Sequence, residues 1–226
     1  MRAQDRLIFI RRPWQHGPMD HQINAVEARV LGSLMEKELA TPEYYPLSLN
    51  ALMAACNQKS NRDPVMSLDE DTVAAALESL KRKGLALDIS GAEHRVHKYA
   101  HRLGEVFNFD RREEAILCVL MLRGPQTSGE LRGRSERLYA FDSLADVEAT
   151  LNRLSERTPP LATKLARQPG EKEARFAHLL SGHVESVAPA VSMAEHRSPI
   201  EERVARLEED VATLRRQLEE FRKSFE

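Results

Sequence analysis

The sequence predicts a mainly α-helical chain with small β-hairpin wings, arranged as two tandem winged-helix (helix-turn-helix) domains plus a C-terminal coiled-coil helix. Three observations carry that prediction. Two stretches, Asn24 to Leu103 and Arg111 to Leu180, repeat one order of apolar patterns. Each closes on a short apolar run, a glycine-containing turn and a returning strand of similar sequence. Residues 200–226 then carry an unbroken heptad pattern.

The first helix of each copy follows from a core-facing stripe: Val30, Leu31, Leu34 and Met35 in one, Ile116, Leu117, Leu120 and Met121 in the other. A shorter second helix begins after Pro46 at Ser48 and after Pro125 at Thr127, both residues suited to capping free backbone amides. Third helices are predicted where Val73, Leu77 and Leu80 match Val147, Leu151 and Leu154. Their capped, acidic first turns are Ser67 with Glu70, and Asp142 or Ser143 with Asp146. These helices should end near Gly84 and Pro159. The wings follow: Leu85 to Ile89 returning as Lys98 to Leu103, and Leu161 to Leu165 returning as Arg175 to Leu180. Domain boundaries are accordingly 1–22 for an N-terminal extension, 23–104 and 105–183 for the winged helices, 184–199 for a linker and 200–226 for the coiled coil.

In the tail, Val204, Val211, Leu218 and Phe225 fall at a, and Ile200, Leu207, Leu214 and Phe221 at d. Valine at a with leucine at d favours two strands. A parallel homodimer also makes the pairs Arg203 with Glu208 and Asp210 with Arg215 attractive. The same stripe would serve a helix folded back on its own domains.

Composition narrows the function classes. Net charge is -2, and no segment is strongly basic, which counts against a general nucleic-acid binder because phosphate neutralisation supplies most of that affinity. Cys56 and Cys118, each within an apolar helical stretch, read as buried thiols in a reducing compartment rather than as a disulfide framework. No apolar run approaches the length a bilayer needs, and Leu7 to Ile10 lacks the features of a secretion signal. A cytoplasmic protein without membrane association is expected.

Phosphate-binding loops, nucleophile elbows and His-Glu-x-x-His are all absent from the sequence, so no enzyme and no cofactor is expected. His94, His97 and His101 do not form a metal set, since strand alternation separates His94 from His97 and no cysteine is near. The candidate contacts with a nucleic acid or protein partner are polar. Asn57, Gln58, Lys59, Asn61 and Arg62 cluster ahead of the third helix, where amides and cations read base edges and phosphates. The same residues could instead bond their own backbone in an irregular turn. Arg95 and Lys98 on the first wing, Arg132, Arg134 and Arg137 in the second copy, and Lys172 on its wing complete the set. Glutamates interleave with those later cations, and the third helices open on acidic turns that would meet phosphates unfavourably.

Several of these residues also carry a family likeness. Val26 to Val30, Thr41-Pro42-Glu43, Tyr45 to Asn50, Ala55 to Arg62 with Pro64 to Met66, and Leu122-Arg123-Gly124 with Gln126-Thr127 and Gly129 to Arg132 together resemble the bacterial YceH family. The likeness runs from about Asn24 to the end. It implies a tandem winged-helix fold and no established biochemical function, and it transfers no catalytic or ligand residues. Residues 1–18 fall outside it and are expected to be an upstream extension, with Met19 the natural start.

The expected function is a non-enzymatic regulatory protein, dimeric through its tail, whose paired winged helices contact DNA or a transcription-related protein. The alternative is a protein-interaction scaffold that does not bind DNA.

Overall fold

The computed structural model of the protein describes residues 22–89, 96–167 and 170–182. Residues 1–21 of the N-terminal extension, Arg95, the linker and the whole heptad seam from Ile200 to Phe225 lie outside the described residues.

Helix α1 (Ala25–Ala40) starts where Asn24 and Glu27 cap each other's backbone amides, satisfying two of the donors a helix N-terminus leaves free. A 3-10 turn at Pro42–Tyr44 leads into β1 (Leu47–Ser48), and Ser48 caps α2 (Leu49–Cys56). Helix α3 (Glu70–Arg82) is capped by Asp69, whose carboxylate accepts from Thr72 N at 2.8 Å. The expected cap, Ser67, lies two residues too early; Asp69 is adjacent to the first turn and does the work. Gly84, at φ 72°, takes the left-handed conformation that ends this helix and opens β2 (Ala86–Asp88). Strand β3 (Lys98–His101) returns between β2 and β1, giving an antiparallel sheet of order β1-β3-β2.

That returning strand is shorter than the sequence pattern suggests. After His101 the chain turns into a short helix, α4 (Leu103–Phe107), and Leu103 is buried as helix rather than strand. Helix α5 (Arg111–Arg123) follows, capped by Asp110 with Glu113. Next come α6 (Ser128–Ser135), capped by Thr127 with Glu130, and α7 (Leu144–Glu156), capped by Ser143 with Asp146. Strands β4 (Ala162–Lys164) and β5 (Phe176–His178) pair antiparallel. The protein is thus mainly helical with small antiparallel strand pairs, and three helices followed by a strand pair occur twice, an order consistent with winged-helix-like halves.

The two copies meet across a continuous apolar core. From Glu27 to Glu36 every residue of α1 is buried, because α2 and α3 cover one side and α5 covers the other. Gly32 permits this approach: a Cβ there would meet Leu122 at 3.0 Å and Met121 at 3.2 Å. Each fully buried leucine in this seam, such as Leu31, Leu34, Leu117 or Leu120, contributes about 1.5–3 kcal/mol. The segment before α1 and the segment after β5 are also tied together, since Ile23 N donates to Leu180 O at 2.8 Å.

Candidate functional site

Where α2 ends, the segment from Asn57 to Leu68 must leave a helix whose last carbonyls lack intrahelical partners. Arg29 and Arg62 resolve part of this, donating to Cys56 O and Ala55 O. The Asn57 side-chain amide donates to Leu68 O at 2.8 Å, and its Oδ1 accepts from Leu68 N at 2.7 Å, closing the segment into a loop. Asn61, at φ 58°, adopts the left-handed conformation that asparagine tolerates better than most residues. Its Oδ1 accepts a short hydrogen bond from Arg123 of α5.

Arg62 turns inward. Its guanidinium is fully enclosed and pairs with Glu36 of α1 in a forked geometry, Nη1 to Oε1 at 3.2 Å and Nη2 to Oε2 at 2.7 Å. Further hydrogen bonds run to Ala55 O at 3.2 Å from Nε and 2.8 Å from Nη2, and to Asn61 O at 2.9 Å from Nη1. Gln58 Oε1 accepts from Nη2 at 3.3 Å. The expectation that Arg62 offers a surface contact is therefore corrected: its charge is spent inside the protein. Of the polar cluster, only Lys59 is solvent-exposed without a hydrogen bond or ion pair among the described residues.

A cleft of about 240 Å³ opens beside this network, bordered by Asn61, Arg123 and Leu122 on one side and by Arg134, Arg137 and Leu138 on the other. Burial, with Arg134 and Arg62 nearby, pushes the Arg123 guanidinium below its ordinary value. Arg134 pairs with Glu130 at 3.3 Å, whereas Arg137 makes no hydrogen bond or ion pair among the described residues. Glu36 and Glu136 border the same cleft, so its charge is mixed.

The remaining sequence candidates are dispersed. Arg132 donates to Phe141 O at 3.4 Å and Asp142 O at 3.0 Å, which fixes the turn before α7. Lys98 sits at the start of β3, paired in register with Ser48, and Lys172 is exposed beside the second strand pair. Of the three wing histidines, His94 lies outside the described residues; His97 Nδ1 lies 2.9 Å from Asp88, and His101 pairs with Glu38. Among the described residues no group of three or more His, Cys, Asp or Glu is placed to hold a metal ion. No helix among them is long and apolar enough to cross a membrane.

Sequence reasoning passed over Glu36, Arg123 and Arg29. A signal existed, since Arg29 and Glu36 flank the apolar stripe of α1 on positions that a helix covered on both sides must bury.

Residues 23–171 match the family described as "Protein of unknown function, DUF480". The chain belongs to this family. It is 56% identical over 209 residues to a UPF0502 protein of Solibacter usitatus (strain Ellin6076), covering 92% of this chain and all of that protein. Likeness to UPF0502 protein GSU0233 of Geobacter sulfurreducens is 52% over 225 residues, with 92% of this chain and all of the relative covered. These relatives carry the UPF0502 designation rather than YceH. The DUF480 match begins one residue before the Asn24 cap, so the shared region opens with α1. A family description without an activity leaves function to be argued from the residues themselves.

Proposed function

We propose that this DUF480 protein is a non-enzymatic regulatory adaptor, built as two tandem winged-helix domains, that docks a protein partner rather than duplex DNA. Paired tail helices would present two such modules per dimer, through the Ile200 to Phe225 seam. The observation that carries this reading is where the charges go. On the exposed face of α3 stand Asp71, Ala75 and Glu78, and on that of α7 stand Glu148, Ala149 and Asn152. A helix-turn-helix that reads DNA places the first residues of this helix at base edges between phosphates, where carboxylates are repelled. Four of the expected contacts, Asn57, Asn61, Arg62 and Arg132, are instead used to hold the fold.

Fluorescence anisotropy with a random-sequence duplex at about 50 mM salt tests this directly, since phosphate-driven binding is strongest there. No saturable binding is expected. Binding that weakens steeply with salt and is lost on changing Lys59, Lys98, Arg137 and Lys172 to glutamate would restore the DNA reading. Crosslinking in cells should then trap a protein partner whose capture is lost in Glu78→Lys with Glu148→Lys. For the tail, sedimentation should give a dimer at tens of micromolar protein, and a monomer after truncation at Ser198.

A further inference from the structure

The cleft between Arg123 and the end of α6 has carbon in its walls, from Ala40 of α1, Val119 and Leu122 of α5, and Leu138 beyond α6. Its cations come from two sides. Arg123 borders it from α5 and Arg134 from α6, with Arg137 three residues further on.

Neither Arg123 nor Arg134 is used up by the fold. Arg123 gives one arm, Nη2, to the neutral amide oxygen of Asn61, and no carboxylate among the described residues pairs with it. Its Nε and Nη1 make no hydrogen bond among the described residues yet remain open to solvent. The Arg134 side chain is 34% exposed and spends Nη2 on Glu130, a carboxylate it shares with Arg175. The two guanidinium groups also feel each other: burial first, and Arg134 next, hold Arg123 below its ordinary value, with Asp63 and Glu36 pulling the other way. Like charges brought together beside an apolar wall are stabilised by an anion between them.

The carboxylates on the cleft limit how much negative charge it takes. Glu36 is engaged by Arg62, whereas Glu136 is exposed and has no hydrogen bond or ion pair among the described residues. Arg123 and Arg137, without carboxylate partners, against Glu136 leave an excess of one positive charge on the border.

We propose that this cleft binds a small organic monocarboxylate with a short aliphatic body, its oxygens accepting from Arg123 and Arg134 and its chain lying on Val119, Leu122 and Leu138. Guanidinium groups suit a carboxylate by their forked donors, and a phosphate monoester would bring a second negative charge that Glu136 opposes. The volume of about 240 Å³ lies just under the usual range for small-molecule sites, which favours a ligand of few heavy atoms over a nucleotide-sized one. No residue of α3 or α7 borders the cleft, so this proposal and the partner-docking one stand or fall separately.

Isocaproate serves as the probe, titrated into the full-length protein by calorimetry, with isohexanol and acetate as controls. Isocaproate should bind saturably with one site per chain. It should bind at least about tenfold more tightly than isohexanol, which lacks the charge, and than acetate, which lacks the chain. Arg134→Gln removes one guanidinium from a partly exposed position. Gly133→Trp adds bulk at the border of the cleft, where a Cβ on the helical backbone of α6 meets nothing within 4 Å. Each should weaken isocaproate at least about tenfold while the melting temperature stays within a few degrees. Absence of saturable isocaproate binding up to about 10 mM would overturn the proposal. Equal binding of either control would do the same, as would undiminished affinity in Arg134→Gln. Should a variant fold poorly, the comparison of acid with alcohol on the unaltered protein decides alone.

Discussion

Arg62 and Glu36 form a forked ion pair across the junction of α1 and the loop after α2, with the arginine side chain fully enclosed and the carboxylate nearly so. Losing one partner of such a pair strands a charge in a poorly solvated place. Arg62→Ala should therefore lower stability by about 3–5 kcal/mol in urea unfolding. Lys59→Ala, three residues away on the surface, should change it by less than about 0.5 kcal/mol. Equal, small effects from both would mean that Arg62 is not held inside.

Gly32 sets how closely α1 and α5 approach. A side chain at this position meets Leu122 and Met121 at or inside ordinary contact distance. Gly32→Val should cost about 1–3 kcal/mol through overpacking, despite the valine's gain in backbone restriction. A Gly32 variant as stable as the parent would show that the two helices can separate without loss.

His178 is held neutral, since burial pushes its imidazole down to about 4. The sign follows from proton binding. Between about pH 6.5 and 4 the unfolded chain protonates this histidine and the folded one does not, so stability falls as pH drops through that window and levels off below it. The contribution is roughly 3 kcal/mol at most, from about 1.4 kcal/mol per unit. In His178→Phe the fall across this window should be shallower by that amount, and the His178 resonance in the parent protein should titrate near 4. A midpoint near 6.5 would remove the effect.

Both thiols are shut away. Burial pushes Cys118 well up, and its Sγ donates to Gly32 O at 3.5 Å; burial likewise raises Cys56, whose Sγ lies against Arg29 O. Thiolate is the reactive form, so neither should react with a maleimide at neutral pH while the protein is folded. Two equivalents of label should appear only on denaturation, and rapid labelling of the native protein would contradict the packing of α1 on α5.

Much of the element order was legible because it rests on local rules. The stripes Val30-Leu31-Leu34-Met35 and Ile116-Leu117-Leu120-Met121, the caps Ser48, Thr127 and Ser143, and the strand alternation around Tyr99 and Phe176 each depend on residues close in sequence. The errors were local competitions as well: Asp69 displaces Ser67 as a cap, and α4 takes Leu103 from the strand pattern.

By itself, then, the sequence determined the repeated three helices and the strand pair of each copy, though not β1 or α4, because backbone preference and apolar period are encoded residue by residue. Only the tertiary structure decided the fate of the charges. Arg62, written beside Lys59 in a polar run, is pulled inside because Glu36 waits on α1, far off in the chain. Asn61 and Arg123 border one cleft only because the loop after α2 and α5 come together across the two copies. Charge pairing and burial depend on partners distant in sequence, and local patterning carries no record of them.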